Sequence, residues 1–210
     1  MILAFNYETA HRFGDAFPTL LRLRHKEFVE RLGYKVPTYN GMEYDQYDTP
    51  AAVYIAWLDV HQKIRAGTRI APTNRPYMIK DLWPQTVQQI ELPCSFQTWE
   101  ATRLFIDKDL DKTEHKLAHG EILCAYLEFA LRFGISSYIG TAPPGLWKYT
   151  FLKSGWPVEF VGNPTAIDYS EKIITGLMPV SDRILGNVRE QMGIENAVLP
   201  GAIIPLERAA

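Results

Sequence analysis

The segment between residues 111 and 134 constrains the fold more than any other part of the chain. The sequence Asp-Lys-Thr-Glu at residues 111–114 resembles an acidic capping box, which predicts that a helix begins there. The helix then runs to Phe133 and Gly134, and it is apolar almost all round. Because a surface helix is apolar along one stripe only, this helix must be covered on most sides. We therefore expect it to be largely buried in a layered domain.

The other predicted elements are short strands with helices interspersed. Predicted strands lie at residues 2–5, 52–59, 68–71, 96–106, 136–141, 158–161 and 172–177. Ala66 and Gly67 look like the turn of an antiparallel hairpin between the second and third of these strands. Further helices are predicted at residues 16–32, 146–154 and 181–192. This order predicts an α+β fold, a three-layer α/β/α sandwich with a mixed, largely antiparallel twisted sheet.

The length of 210 residues suits one well-cored domain, so we expect a single domain over residues 1–210. A net charge of −2 argues against non-specific binding to nucleic acid. Cys94 and Cys124 lie far apart, which makes a disulfide framework improbable and fits a cytoplasmic setting. No apolar run approaches the length of a membrane span, and residues 1–14 lack the features of a signal peptide. We expect a cytoplasmic protein with no stable membrane insertion.

Arg24 is the first candidate functional residue, because it falls at the centre of the apolar stripe of the first helix. Leu21 and Phe28 flank it on that stripe. A charge rarely sits there unless it is paired. The alternative is that the aliphatic stem packs while the guanidinium reaches solvent, which is the commoner outcome for a single arginine.

An acidic loop follows, in which Glu43, Asp45 and Asp48 lie within six residues. Three carboxylates this close repel one another unless cations lie nearby. A solvated loop is the usual explanation for such a run. The spacing does not match an EF-hand, so a metal loop is less favoured and we expect no bound metal.

Glu100 and Arg103 lie on one predicted strand, and Arg69 lies on the hairpin. Strand alternation would place Glu100 and Arg103 on opposite faces, unless a bulge intervenes. If these residues converge with Arg24 and the acidic loop, four carboxylates meet three arginines, a formal charge of −1. Such a site would suit a cationic, zwitterionic ligand. Surface ion pairs are the simpler interpretation of each pair alone.

Taken in order, these motifs resemble the LuxI-type autoinducer synthases over about the first three quarters of the chain. The matching pieces are Arg24-x3-Phe28, Gly-Tyr34-x-Val, Glu43-x-Asp45-x2-Asp48, Gly67-x-Arg69, Pro76-Tyr-Met-Ile with Trp83, Trp99-Glu100-x2-Arg103 and the FLKSGW stretch at residues 151–156. Two aromatic positions differ from the usual pattern. Tyr34 stands where the family normally has tryptophan, and Trp83 where it has phenylalanine. Both can still form a wall or a stacking surface.

The resemblance implies a fold like that of the GNAT acyltransferases, with a cleft where central strands splay. It also implies two substrates, S-adenosylmethionine and an acyl thioester carried by acyl carrier protein or coenzyme A. The methionine amine is acylated, and its carboxylate then closes the lactone and expels methylthioadenosine. Because S-adenosylmethionine is itself a substrate, no cofactor is expected.

The resemblance further implies roles for the charged residues. Glu100 is the first choice for the general base that deprotonates the amine, and Glu43 is the second. Arg69 is expected to form a structural ion pair. The expected S-adenosylmethionine site comprises Arg24, Phe28, Tyr34, Asp45, Asp48 and Arg103.

Four residues are candidates for the walls of an acyl pocket, although plain core packing is the simpler interpretation of each. They are Leu127, Thr141, Trp147 and Leu152. The Thr141 hydroxyl sits where, in this family, it can meet an oxo group on the acyl chain. Trp147 is bulky, which favours a short, branched or aromatic acyl group over a long chain.

Two other functions remain open. The first is a GNAT-like N-acyltransferase that acts on another amine and releases no methylthioadenosine. The second is a non-catalytic binding module on the same scaffold. The acidic cluster with Arg24 favours the synthase over both.

Overall fold

The structure is a computed structural model that describes residues 1–167 and 172–199. Ten strands are assigned: β1 (Ile2–Phe5), β2 (Thr38–Tyr39), β3 (Met42–Glu43), β4 (Val53–Leu58), β5 (Ile64–Pro72), β6 (Thr98–Ile106), β7 (Ser137–Ala142), β8 (Glu159–Phe160), β9 (Thr165–Ala166) and β10 (Lys172–Pro179). The helices are α1 (Ala16–Arg24), α2 (Met78–Leu82), α3 (Lys112–Phe133), α4 (Pro144–Leu146) and α5 (Asp182–Met192). Wider π-helical turns extend α1 over His25–Arg31 and α4 over Trp147–Phe151. Short 3₁₀ turns lie at Ala10–Phe13, Pro84–Thr86 and Leu152–Ser154.

The main sheet has the strand order β1-β4-β5-β6-β7-β10-β8, and β9 pairs with another part of β10. Only β6 and β7 run parallel among the described strands, and their register covers residues 98–100 against 137–139. Both strands continue beyond this short register, β6 to Ile106 and β7 to Ala142. The centre of the sheet therefore opens into a cleft where β6 and β7 stop pairing.

Helix α3 covers one face of the sheet, together with α5. The Asp111 side chain accepts hydrogen bonds from the backbone N–H groups of Thr113 and Glu114, and Gly134 ends the helix with a left-handed φ of 70°. The largest apolar core lies between α3 and the sheet. The predicted buried helix is thus confirmed, because its apolar sides meet the sheet, α5 and the segment after α5.

Helix α1, its π-helical extension and α2 cover the opposite face. Two smaller apolar clusters lie there, one around Leu20 and Phe105 and one around Ile79 and Ile139. The charged residues predicted from the sequence lie on this face. The three layers and the mixed, mostly antiparallel sheet confirm the predicted fold class.

The predicted hairpin turn at Ala66 and Gly67 is wrong, because both residues lie within β5. The chain instead turns between β4 and β5, where the Asp59 side chain accepts hydrogen bonds from the N–H groups of His61 and Lys63. Gly67 is small for a packing reason. A Cβ there would lie 2.9 Å from Leu20 Cδ1, so glycine lets α1 approach the sheet closely.

The helix predicted at residues 146–154 is a series of short α, π and 3₁₀ turns rather than one regular helix. The last helix begins as predicted, with the Ser181 hydroxyl accepting a hydrogen bond from the Ile184 N–H. Within residues 1–167 and 172–199, no helix has both the length and the apolar character needed to cross a membrane.

Candidate active site

Six charged side chains converge between α1 and the sheet, although they come from five separate parts of the chain. Five are buried, namely Arg24 from α1, Glu43 from β3, Asp45 and Asp48 from the loop after β3, and Arg69 from β5, and the sixth, Arg103 from β6, is partly buried. We call these six residues the ion-pair cluster. The acidic loop is therefore neither solvated nor part of a surface ion pair.

Arg24 pairs with two carboxylates at once. Its Nη1 and Nη2 atoms donate to the two oxygens of Asp48 at 2.7 and 3.1 Å, and its Nε atom donates to Glu43. The side chain is only 1 % exposed, so the guanidinium does not reach solvent. Its position on the apolar stripe of α1 is explained by this pairing.

Asp48 is held as an anion by the cations around it. Burial alone would raise its pKa, but Arg69 and Arg24 outweigh burial and lower the pKa to about 2. The Tyr54 hydroxyl and the Asp45 backbone N–H also donate to it, at 2.9 and 2.8 Å. Asp48 is thus a fixed negative charge at any physiological pH.

Arg69 forms a bidentate ion pair with Asp45, in which its Nη1 and Nη2 atoms donate to the two carboxylate oxygens at 2.6 and 3.2 Å. Its Nε atom donates to the Thr102 hydroxyl at 3.1 Å. Burial works to lower the pKa of Arg69, but Asp48 and Asp45 raise it overall. Because its side chain is 1 % exposed, Arg69 holds the acidic loop against β5 rather than facing the cleft.

Arg103 reaches the cluster through a bulge in β6. Gly67 is opposite Phe105 in the register and Arg69 is opposite Thr102, so β6 carries one more residue than β5 between these pairs. Arg103 itself has a left-handed φ of 56°. Strand alternation alone would place Arg103 and Glu100 on opposite faces. The bulge is therefore present as the convergence of these residues required, and it places Arg103 on the same face as Glu100.

The Arg103 guanidinium donates to Glu43 Oε1 at 3.0 Å and to Asp45 Oδ2 at 2.8 Å. It also lies over the Phe28 ring, 5.6 Å from the ring centre. Its side chain is 11 % exposed, compared with 1 % for Arg24 and for Arg69. Arg103 is thus the arginine of the cluster best placed to meet a ligand.

Glu100 lies beside the cluster in a different environment. It is 2 % exposed, and its two oxygens accept hydrogen bonds from the backbone N–H groups of Met78 and Ile79, at 3.0 and 2.7 Å. Burial raises the pKa of Glu100 to about 7, against the opposing effects of the two N–H groups and of Arg69. The ion pairs of the described residues do not include Glu100.

The three arginines of the cluster balance its three carboxylates, which leaves Glu100 to set the charge of the site. The site is neutral when Glu100 is protonated and carries −1 when it is ionised. Within residues 1–167 and 172–199, no three His, Cys, Asp or Glu side chains are placed to hold a metal ion. The arrangement can therefore accept a positive charge, or take up a proton, at Glu100.

A groove of about 460 Å³ opens next to the cluster, at the edge of the separated strands. Phe28 and Tyr34 line one side, with their rings stacked 6.1 Å apart at an angle of 17°, and Tyr34 is 46 % exposed. Leu104 and residues 143–146 line the other side. Such a groove can hold a flat, partly apolar group against the two rings.

The four predicted acyl-pocket residues are not brought together. Leu127 and Trp147 are buried in the core on the α3 face. Thr141 lies on the opposite face, because the neighbouring Gly140 directs its Cβ position toward Trp147, at 3.3 Å from Cη2. Leu152 is 43 % exposed, since the turns that bury Trp147 and Phe151 direct the following residue outward. These four positions therefore do not form one pocket.

Sequence reasoning expected Asp48 to pair with Arg24 or Arg69, but it missed the backbone donors to Glu100 and the Tyr54 hydroxyl that donates to Asp48. The N–H groups of Met78 and Ile79 carry no side-chain signal, although both residues lie in the motif noted above. Tyr54 could have been noticed as a hydroxyl in the middle of an apolar strand, where a buried polar group needs a partner.

Comparisons with known proteins identify the family of the chain. The family model described as autoinducer synthase matches residues 9–188. The acyl-homoserine-lactone synthase of Vibrio anguillarum is 34 % identical over 154 residues, which covers 70 % of this chain and 77 % of that protein. The isovaleryl-homoserine lactone synthase of Bradyrhizobium diazoefficiens is 27 % identical over 169 residues, covering 80 % of this chain and 75 % of that protein.

The solved structure of BjaI, a CoA-dependent acyl-homoserine lactone synthase, with SAM and isopentyl-CoA superimposes with a TM-score of 0.87. The sequence identity is 24 %, and the match covers 97 % of this chain and 95 % of that one, so this likeness supports the fold. The family match extends over most of the chain, including every residue of the ion-pair cluster and Glu100. The chain therefore belongs to the autoinducer synthase family and is an acyltransferase of the acyl-homoserine-lactone synthase type.

Proposed function

We propose that this protein makes an acyl-homoserine lactone from S-adenosylmethionine and an acyl thioester. The observation that carries the proposal is the charge of the site: the ion-pair cluster is balanced, while Glu100 beside it has no arginine partner among the described residues. A substrate with an ammonium and a sulfonium group is attracted to such a carboxylate. No cofactor is needed, because S-adenosylmethionine supplies its own leaving group.

The adenosyl group is proposed to lie in the groove against Phe28 and Tyr34, whose stacked rings offer an aromatic wall. The methionine carboxylate is proposed to meet Arg103, the most exposed arginine of the cluster. Arg24 and Arg69 are too buried to reach it, so they act by positioning Glu43, Asp45 and Asp48. Asp45 in turn holds Arg103 from a second side.

The methionine ammonium must lose a proton before its nitrogen can attack. Glu100 is proposed to take that proton, directly or through one water, because a pKa of about 7 matches this task near neutral pH. Glu43 is the weaker candidate, since both of its oxygens are already occupied by the guanidinium groups of Arg24 and Arg103. We therefore assign Glu43 to the positioning of Arg103.

The reaction then proceeds in two steps. The amine nitrogen bonds to the acyl carbon and the thiol leaves, taking up the proton released from the amine. Backbone N–H groups freed where β6 and β7 separate are proposed to stabilise the oxyanion of the tetrahedral intermediate. In the second step a carboxylate oxygen bonds to the γ-carbon as the γ-carbon–sulfur bond breaks, which releases methylthioadenosine. This step mainly requires that the chain is folded for attack.

The acyl donor is proposed to be a short or branched acyl-CoA. The likeness to a CoA-dependent synthase and to an isovaleryl-homoserine lactone synthase supports this choice. A donor carried by acyl carrier protein is the alternative.

The test is to incubate the purified protein with S-adenosylmethionine and matched donors, namely isovaleryl-CoA, octanoyl-CoA and isovaleryl-acyl carrier protein. Release of methylthioadenosine and mass spectrometry of the lactone follow the reaction. We expect both products with isovaleryl-CoA, and strong loss of both in Glu100→Gln. Thiol release without methylthioadenosine would instead indicate an N-acyltransferase acting on another amine. Turnover by the long-chain donor alone would overturn the proposed acyl group.

A further inference from the structure

A buried pair of hydroxyl groups lies behind the bulge that carries Arg103, on the α3 face of the sheet. Thr68 of β5 and Tyr126 of α3 are each 1 % exposed, and their hydroxyl oxygens are hydrogen-bonded to each other. The Thr68 hydroxyl also bonds the backbone carbonyl oxygen of Thr102, at 2.9 Å. Burying two hydroxyl groups in a core costs free energy unless each is paired. Here both are paired along one line, which ends at the residue before Arg103.

The direction of both hydrogen bonds follows from the number of hydrogens available. A carbonyl oxygen can only accept, so the single hydroxyl hydrogen of Thr68 goes to Thr102. Tyr126 must therefore donate its own hydrogen to the Thr68 hydroxyl oxygen. This donation polarises the Thr68 hydroxyl and strengthens its bond to the carbonyl. The two side chains thus act as one donor that starts at α3 and ends at the Thr102 carbonyl.

Tyr126 is a fixed starting point for this donor. Its ring makes edge-on contacts with the rings of Tyr138 and Trp156, with ring centres 5.2 and 5.9 Å apart. Its backbone carbonyl oxygen accepts a hydrogen bond from the Tyr138 hydroxyl at 2.9 Å. Because the ring cannot turn without disturbing these contacts, its hydroxyl stays at Thr68.

The Thr102 carbonyl belongs to the peptide group that sets the φ angle of Arg103. The peptide group is planar, so φ of a residue describes how the preceding peptide group is rotated about the N–Cα bond. A hydrogen bond that holds the Thr102 carbonyl therefore restrains the left-handed φ of 56° at Arg103. On the other face, the Thr102 hydroxyl accepts from Arg69 Nε at 3.1 Å. If this peptide group turned, regular alternation would direct Arg103 away from Glu43 and Asp45.

We propose that Thr68 and Tyr126 are positioning residues for Arg103; the proposal rests on the synthase function given above. They act from the opposite side of the sheet, by holding the peptide group that turns the guanidinium toward the methionine carboxylate of S-adenosylmethionine. Neither acts on the substrate directly. Loss of the hydrogen bond that Thr68 donates corresponds to about tenfold in kcat/KM.

The experiment measures methylthioadenosine release to obtain kcat and KM for S-adenosylmethionine. Thr68→Val removes the donor to Thr102, so we expect kcat/KM to fall about tenfold, mainly through a higher KM. Tyr126→Phe leaves Thr68 bonded to Thr102 but no longer polarised, and it should cost about threefold. Thr68→Ser keeps the hydroxyl and should recover most of the activity.

Thr73→Val is the matched control. Thr73 follows β5 directly and is 1 % exposed, and its hydroxyl bonds the carbonyl oxygens of Ser95 and Thr98 at 3.0 and 2.9 Å. Thr98 is the first residue of β6, so this hydroxyl joins the same two strands at the end away from the bulge. The control therefore removes a buried threonine hydroxyl of the same kind, and kcat/KM should stay near that of the unmodified protein.

The decisive readout is the same change made in Arg103→Gln. If Thr68 acts through Arg103, then Thr68→Val has nothing further to disturb in that background, and its tenfold effect on kcat/KM should disappear. A general loosening of the sheet would instead lower kcat/KM by the same factor with or without Arg103. Melting curves for all variants accompany the kinetics.

Two outcomes overturn the inference and leave the synthase function intact. One is a Thr68→Val protein as active as Thr73→Val, and the other is a Thr68→Val effect of equal size with and without Arg103. Failure of the unmodified protein to release methylthioadenosine with any acyl donor overturns the proposed function, and the inference with it. If Thr68→Val does not fold, Tyr126→Phe alone and combined with Arg103→Gln decides the question by the same comparison.

Discussion

Arg103 reaches Glu43 because its own backbone is left-handed. A φ of 56° at a non-glycine residue, together with the extra residue of the β6 bulge, turns the guanidinium toward the α1 face. Regular alternation from Glu100 would send Arg103 to the α3 face instead. Such a conformation costs on the order of 1–3 kcal/mol, and the pairs with Glu43 and Asp45 stabilise it here. The site thus contains local strain at the residue proposed to meet the substrate carboxylate.

Arg103→Gln should separate activity from stability. We expect kcat/KM for S-adenosylmethionine to fall by about 100-fold, because a preorganised charged donor is lost. The free energy of unfolding should fall by about 1–3 kcal/mol, less than on removal of Arg24, since Glu43 keeps Arg24 and Asp45 keeps Arg69. Methylthioadenosine release and urea unfolding measure the two effects. Arg103→Lys is the matched control, and it should recover part of the activity through its charge. Equal activity of Arg103→Gln and the unmodified protein would show that Arg103 does not bind the substrate.

Arg24→Gln should act mainly on folding. It leaves Glu43 and Asp48 without their shared cation in a buried setting, which typically costs about 3–5 kcal/mol. Arg22→Gln, an exposed position on the same helix, should stay within about 0.5 kcal/mol of the unmodified protein. Urea denaturation compares the two. If both variants unfold at the same urea concentration, the cluster does not stabilise the fold as described.

The fold was predictable because its main signals are local. The capping box at Asp111 and the apolar sequence of α3 gave a buried helix, and the alternation of strands and helices gave three layers. The prediction of a hairpin turn was wrong because two small residues such as Ala66 and Gly67 can either form a turn or let a helix pack closely against a strand. Only the contact with Leu20 distinguishes the two.

The site was predictable in its members but not in its connections. Arg24 on an apolar stripe required a buried partner, and the acidic loop offered one. The environment of Glu100 depends on backbone N–H groups at the start of α2, which no local pattern reports. From the sequence, a bulge could be named only as the requirement for Glu100 and Arg103 to share a face. Its presence depends on the pairing of β6 with β5, which the sequence does not show.

Glu100 should make stability and activity depend on pH in opposite directions. Its folded-state pKa of about 7 lies above the ordinary value of 4.5, so its ionisation is harder in the folded protein. Below about pH 4.5 Glu100 is protonated in both the folded and the unfolded protein, so stability is highest there. Stability is lost as the pH rises from about 4.5 through 7, by at most about 3 kcal/mol. Glu100→Gln should flatten this decline in urea unfolding measured between pH 5 and 8.

Activity should rise over the same interval, because only ionised Glu100 can accept the proton. The pH profile of kcat/KM for S-adenosylmethionine should show an ascending limb near pH 7, and Glu100→Gln should lack that limb. Asp48 adds no limb there, since its pKa of about 2 keeps it ionised throughout. A limb that survives in Glu100→Gln would assign the general base to another group.

Gly162→Ala should destabilise the fold. The new Cβ would lie 2.1 Å from the Thr86 carbonyl oxygen, so the Pro84–Thr86 turn must move away from β10. Overpacking of this kind costs about 1–3 kcal/mol. Gly186→Ala is the matched control, because Gly186 is an exposed residue of α5 with nothing within 4 Å of the added Cβ, and the change should stabilise the protein by about 0.5–1 kcal/mol. Thermal unfolding compares the two variants, and equal melting temperatures would contradict the tight contact between residue 162 and Thr86.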